Sequence, residues 1–255
     1  MMELPHRLER SVTIGAPRAL VFAYFTDGAR WAAWWGAGST IDARRGGCVS
    51  IRYPDGTEVS GEVLDVSPPE HIVFTYGYVS GTPIPAGASR VTIRLAAASG
   101  GTRVEVVHEF ADPAVRDQHV QGWRYQLSLF ANVVMNERHR GAAASVDAWF
   151  AAWSEPDGTA RRAALDRIAT PAVALRDRFS AIDGLDELTE HMGAALRFMP
   201  GLTLRREGDV RHCQGTLLAD WTAVGSGDQP RGRGTTVFML ASDGRIASAT
   251  GFWLP

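Results

Sequence analysis

Between about residues 39 and 110 the apolar side chains recur at every second position, and this alternation does most to narrow the folds open to the chain. Val49/Ile51/Tyr53, Ile72/Phe74/Tyr76/Tyr78, Val91/Ile93/Leu95 and Val104/Val106/His108/Phe110 each present one apolar edge, the mark of half-buried strands. Turn residues separate the runs: Arg45-Gly46-Gly47, Pro54-Asp55-Gly56, Pro68-Pro69 and Gly100-Gly101. Short connections of this kind predict an antiparallel sheet with one face to be covered.

The cover is legible on both sides of the strands. A short strand at 11–16 is followed by an apolar helix opened by Pro17, through Val21, Phe22 and Phe25, which stops at Thr26-Asp27-Gly28; a second short helix carries Trp31, Trp34 and Trp35. Asp112-Pro113 is a cap and first-turn pair for a long helix with Val120, Trp123, Leu127, Phe130 and Val134 on one face. Strand, two helices, antiparallel strands and a long helix predict an α+β domain whose sheet wraps around that last helix.

At 255 residues the chain is long enough for two domains. Gly141-Ala-Ala-Ala-Ser145, a helix stop followed by a Ser145 cap, divides it into 1–142 and 143–255. The second part has helices around Val146/Trp149/Phe150/Trp153 and Leu185/Leu188/Met192/Ala195/Met199, then a meander of strands near 202–213, 215–225, 233–241 and 246–253. It is a second α+β unit, with no sequence repeat of the first.

Composition removes whole classes of chemistry. All 26 basic residues are arginine, so no lysine exists to form a Schiff base or to bind phosphate in a Walker-type loop. Charge is balanced at 26 basic against 28 acidic residues, which gives no support for a nucleic-acid partner. Cys48 and Cys213 stand far apart with no CxxC or Cys/His spacing, so neither a zinc site nor a disulfide framework is expected. Glu190-His191 lacks an HExxH partner, and the paired glycines sit in strand turns rather than at a strand-to-helix turn, so no metal, dinucleotide or other cofactor is expected. No signal core or long apolar run is present, which predicts a cytoplasmic protein with no membrane partner.

Residues 11–137 carry Pro17, Val21-Phe22, Phe25-Thr26-Asp27, Trp34-Trp35-Gly36, Gly46-Gly47, Pro54-Asp55-Gly56, Gly61 through Pro69, Ile72-Val73-Phe74-Thr75, Gly101-Thr102-Arg103-Val104 and Gly122-Trp123. Together these resemble the SRPBCC superfamily, in particular the branch named after the activator of the heat-shock protein 90 ATPase. The resemblance implies a START-like helix-grip fold, a curved antiparallel sheet and C-terminal helix enclosing an apolar cavity. The branch name is not carried over as a function, since no second cochaperone segment is found.

Residues 145–253 resemble the SnoaL-like, or nuclear transport factor 2-like, superfamily through Ala151-Ala152-Trp153, Val173-Ala174-Leu175-Arg176-Asp177, Gly184 through Leu188, Asp243-Gly244-Arg245-Ile246 and Gly251-Phe252-Trp253. This implies a cone of helices around a curved sheet. The superfamily includes ketosteroid isomerases, cyclases and hydrolases, so fold does not fix function.

In the first unit the candidate ligand-binding residues are Trp34, Trp35, Tyr53, Tyr76, Tyr78, His108, Trp123 and Leu127. His108 is in phase with Val104 and Val106 and points inward, either to meet a polar-headed ligand or as a core histidine satisfied by its neighbours. In the second unit Asp177 shares a face with Val173 and Leu175, where burial would suit it to act as a general base. The resemblance puts it where ketosteroid isomerases carry their base. Their oxyanion-hole tyrosine is replaced by Trp149 and their acidic donor by Thr236, and the other reading of Asp177 is an ion pair with Arg176, Arg178 or another arginine of the same domain. Trp149 is also a candidate lining residue; Arg44-Arg45, Arg161-Arg162 and Arg205-Arg206 read as solvated surface.

Two functions follow. The first is binding of a small lipophilic or aromatic molecule in the helix-grip cavity, with a second pocket in the SnoaL-like part. The alternative is a cofactor-independent acid/base enzyme, an isomerase, cyclase or hydrolase, using Asp177 or His108. A homodimerisation or other protein-interaction role is a third reading.

Overall fold

The computed structural model describes residues 3–254. The chain divides into two compact α+β units, one up to Met135 and one from Asn136.

The first unit is a helix-grip fold. Its strands are β1 (His6–Ile14), β2 (Thr40–Ile41), β3 (Cys48–Arg52), β4 (Glu58–Ser67), β5 (His71–Tyr76), β6 (Ser89–Ala98) and β7 (Gly101–Phe110). They form one antiparallel sheet in the order β1-β7-β6-β5-β4-β3-β2. Two short helices, α1 (Arg18–Ala23) and α2 (Gly28–Trp35), lie between β1 and β2, and the long α3 (Pro113–Arg138) follows β7. Pro17 precedes α1 and Asp112 accepts from Ala114 N at 2.7 Å at the head of α3, as expected, and the Asp27 carboxylate, read only as part of the α1 stop, accepts from Arg30 N at 2.9 Å at the head of α2.

One strand, β4, breaks the alternation and escapes the period-two reading. Gly61 lies so close to β5 that a Cβ there would collide with Thr75 O, and a register shift between Val63 and Asp65 interrupts the pairing. β3 and β5 are also shorter than expected. Tyr53 falls just past β3, and Tyr78 follows Gly77, which approaches the Pro85 carbonyl too closely for any side chain. Both tyrosines therefore project from strand ends.

The core gathers where α2 and α3 meet. Phe130 of α3 packs its ring against Phe25 (centroids 5.1 Å apart), Trp34 (4.8 Å) and Tyr24 (5.8 Å), and all four are buried. Burying such a ring stabilises by roughly 1.5–3 kcal/mol before its directional contacts are counted.

The second unit is a cone-type fold. Helices α4 (Ala142–Ala152), α5 (Gly158–Ile168) and α6 (Leu185–Phe198) pack on one sheet of β8 (Ala169–Arg176), β9 (Ala181–Asp183), β10 (Thr203–Cys213), β11 (Thr216–Val224), β12 (Pro230–Leu240) and β13 (Ile246–Leu254). The order is β10-β11-β12-β13-β8-β9, antiparallel except for the parallel pair β13/β8. Two expectations need correction. Ser145 is inside α4, which starts after Gly141, and Arg161 is buried, not solvated. The Arg161 guanidinium lies against Gly193 and donates to Thr189 O (3.1 Å) and Glu155 O (2.5 Å), so it ties α5 to α6.

Phe130→Ala should cost the first unit about 3–5 kcal/mol, because its close ring neighbours cannot collapse into the space left. Urea unfolding followed by tryptophan fluorescence measures it; a loss under about 1 kcal/mol would contradict this account of the core.

Candidate functional site

The first unit holds a cavity of about 450 Å³ between α3 and the concave sheet, and its wall is best built from the inside outward. His108 of β7 is fully buried. An indole N–H can only donate, so the bond from Trp123 Nε1 to His108 Nδ1 (2.9 Å) makes Nδ1 the acceptor and leaves the ring proton on Nε2. Nε2 donates to Ser89 Oγ (2.8 Å), and Ser89 in turn donates to the Tyr76 carbonyl (2.8 Å). Burial, with His119 nearby, holds the His108 pKa well below the ordinary imidazole value, so the ring is neutral. His108 is thus a satisfied core histidine inside the wall and does not line the cavity. Trp34 and Leu127 are likewise core: Trp34 is wedged among Phe25, Trp31 and Phe130.

Five expected residues do line the cavity: Trp35, Tyr53, Tyr76, Tyr78 and Trp123. The structure adds His119, Gln126 and Asp55, which sequence reasoning missed. The signal for His119 was available, since it stands four residues after Val115 and four before Trp123 on the same apolar helix face.

His119 fixes the polarity of this wall. Its Nδ1 lies 2.8 Å from Val115 O, an acceptor, so Nδ1 carries the proton and Nε2 must accept. Tyr78 therefore donates to His119 Nε2 (3.2 Å), Tyr76 donates to Tyr78 over a long 3.5 Å, and Tyr53 donates to Tyr76 (3.1 Å). Every phenol proton along the chain is committed, and the lone pairs of Tyr53 remain. Burial pushes the Tyr53 and Tyr76 phenols up and the His119 imidazole down, so all three stay neutral. The Asp55 carboxylate adds a further acceptor, while the Trp35 Nε1–H is buried with no partner.

The second unit holds a cavity of about 380 Å³ walled by Trp149, Trp153, Trp221, Trp253 and Phe198. Trp149 stands edge-on to Phe238 at 5.6 Å and lines the cavity as expected. Asp177 also lines it, but from a turn rather than from β8, and it is half-buried. Its Oδ1 accepts from Phe179 N (2.7 Å). The ion-pair reading fails for Arg176, which binds Asp183 at 2.6 Å, and Arg178 lies over the Phe179 ring. Gly251 leaves room for two polar groups: a Cβ there would lie 3.8 Å from Thr236 Oγ1 and 3.9 Å from Asp177 Oδ2. Thr236 Oγ1 accepts from Trp221 Nε1 (3.0 Å), which leaves the hydroxyl proton for a partner in the cavity. Ser180 and His191, also unanticipated, complete the polar set. Among the described residues no group of three or more His, Cys, Asp or Glu is placed to hold a metal, and no helix is long and apolar enough to cross a membrane.

Fold and cavities together define a pair of cavity-bearing α+β units, a helix-grip followed by a cone. Residues 15–135, just under half of the chain, match the family described as Activator of Hsp90 ATPase homolog 1-like protein. No curated protein matches the chain. Solved structures similar to it include a SnoaL-like family protein from Agrobacterium tumefaciens (21% identity, 47% of this chain and 99% of that one, TM-score 0.43). Others are protein MLL2253 from Mesorhizobium loti (17%, 52% and 98%, TM-score 0.46) and CalU16 from Micromonospora echinospora (25%, 49% and 74%, TM-score 0.39).

The histidines make both units acid-sensitive. In the second unit burial, with His212 and Arg138 nearby, pushes His139 from 6.5 down to about 4. Above pH 6.5 folded and unfolded chains are both neutral at these sites. As pH falls below that value the unfolded chain gains protons that His108, His119 and His139 refuse, so stability falls, for His139 until about pH 4. Melting curves between pH 7.5 and 5 should show both transitions descending, and a flat profile would refute the neutral assignments.

Proposed function

We propose that the chain binds a small, flat, largely apolar molecule bearing a hydroxyl or other hydrogen-bond donor, with the first unit's cavity as the main site. The observation that carries this is the directed chain Tyr53→Tyr76→Tyr78→His119 along a wall that also contains Trp35 and Trp123. Ring faces reward a flat apolar body, and the tyrosine chain, its protons committed, offers the Tyr53 lone pairs to a donor that the ligand brings. A cavity of about 450 Å³ lies within the range of small-molecule sites.

Thermal shift against paired compounds tests this: hydroxylated steroids, flavonoids and polyketide aromatics, each beside its deoxy analogue. A binder at 100 times its Kd should add about 2.7 kcal/mol to the first unit, and the deoxy partner should add less. Tyr53→Phe removes the terminal acceptor and should weaken binding of the hydroxylated compound about tenfold without affecting its deoxy analogue. If no compound shifts the transition, or both members of each pair shift it equally, the reading fails.

A second reading is favoured by Asp177 and Thr236 both bordering the space over Gly251: a carboxylate base and a hydroxyl donor in an apolar cavity suit cofactor-independent proton transfer next to a carbonyl. Proton exchange of flat ketones in deuterated water, followed by NMR, should slow on the order of a hundredfold in Asp177→Asn. Exchange unchanged by that substitution would remove Asp177 as the base.

A further inference from the structure

The second unit's cavity contains a pair of groups that neither reading uses. Ser180 Oγ lies 2.9 Å from His191 Nε2, and both side chains line the cavity. They come from separate elements. Ser180 closes the turn between β8 and β9, and His191 comes from the middle of α6.

Each is held in place from its own side. The turn is pinned by Asp177 N donating to Ser180 O (2.9 Å), Ser180 N donating to Asp177 O (3.4 Å) and Phe179 N donating to the Asp177 carboxylate. Ser180 is buried, and the His191 ring stands edge-on to Trp153, centroids 5.8 Å apart at 85°. A hydroxyl and an imidazole that served only to satisfy each other would need no open volume beside them. Here they adjoin about 380 Å³ walled by tryptophans, and Phe179 and Phe198 at its edge are 68% and 87% exposed. That is the setting for an apolar acyl chain entering past aromatic side chains.

We infer that Ser180 and His191 form a nucleophile and general base for acyl transfer, acting on small esters with an apolar acyl group. In the first step Ser180 Oγ bonds to the ester carbonyl carbon as its proton passes to His191 Nε2. The ester C–O bond then breaks, and the imidazolium returns the proton to the departing alkoxide, leaving an acyl-serine and the free alcohol. In the second step water attacks the acyl carbon, His191 takes its proton and gives it to Ser180 as the Ser–acyl bond breaks, releasing the carboxylic acid. No oxidant, metal or cofactor enters the balance. Thr236 lines the same cavity with its hydroxyl proton uncommitted, so the chain supplies a hydrogen-bond donor for the substrate there.

The test uses the full chain with p-nitrophenyl butyrate. A burst of nitrophenolate and a butyryl group mapped to Ser180 by peptide mass spectrometry are expected. Ser180→Ala should lose the adduct, and His191→Gln should acylate on the order of a hundredfold more slowly, the usual contribution of a general base. If either variant fails to fold, as judged by its melting curve, fluorophosphonate labelling of the wild-type chain decides, with Ser180 the expected site. No adduct, an adduct elsewhere, or equal acylation rates in wild type and a folded His191→Gln would overturn the inference. Acylation is read as a covalent adduct on Ser180, a readout separate from the ketone proton exchange that tests Asp177. Failure here is therefore distinguishable from failure of the Asp177 base, and binding in the first unit is read on a different transition.

Discussion

Burying a histidine in an apolar interior is costly unless its ring nitrogens find partners, and in the first unit that cost fixes where the long helix lies. The Trp123 indole on α3 can satisfy His108 Nδ1 only from one position above β7, and the same ring proton balance sends Nε2–H to Ser89 and the Ser89 proton to the Tyr76 carbonyl. An unmade bond in this chain would leave a buried donor or acceptor at a cost of about 1–3 kcal/mol. Helix, β5, β6 and β7 are thereby held at one separation. The cavity is the volume left beside that contact.

The periodicity of the sequence reveals which residues face inward, but inward means two different things in a domain built around a cavity. His108 and His119 are both in apolar phase, one at period two on β7 and one at period 3.6 on α3. Only the depth of each along the sheet separates core from cavity wall, and depth leaves no mark in a pattern of alternation. Trp34 and Trp35 make the same point. Adjacent on α2 with ring centroids 4.1 Å apart, they differ in that Trp34 packs on Phe130 while Trp35 reaches the cavity wall.

Where the pattern failed outright, the cause was local. β4 was illegible because Gly61 yields its side-chain space to the Thr75 carbonyl and a bulge follows two residues later. Alternation with Val173 and Leu175 points Asp177 at the cavity, yet no strand carries it there. β8 ends at Arg176, and the carboxylate reaches the cavity because a tight turn folds it back. Ser180 owes its position to the same turn and had no periodic signal at all. His191 precedes the buried Met192, yet lies on the flank of α6 where the helix face turns from core to cavity.

The two cavities differ in what their polar groups are free to do. In the first unit the protons of Tyr78, Tyr76 and His119 are passed along a chain that ends on a backbone carbonyl, and burial favours the neutral form of Tyr76 and of His119. That chain can recognise a ligand but has no proton to exchange with it without breaking its own bonds, each worth about 0.5–1.5 kcal/mol net. In the second unit the commitments are shorter: Trp221 fills one lone pair of Thr236 and leaves its proton, while Ser180 and His191 engage each other beside open volume. Selective binding suits the first arrangement and proton movement the second, although aromatic rings line both cavities. The division follows from where each hydrogen-bond chain ends, on the backbone in one unit and at the cavity in the other.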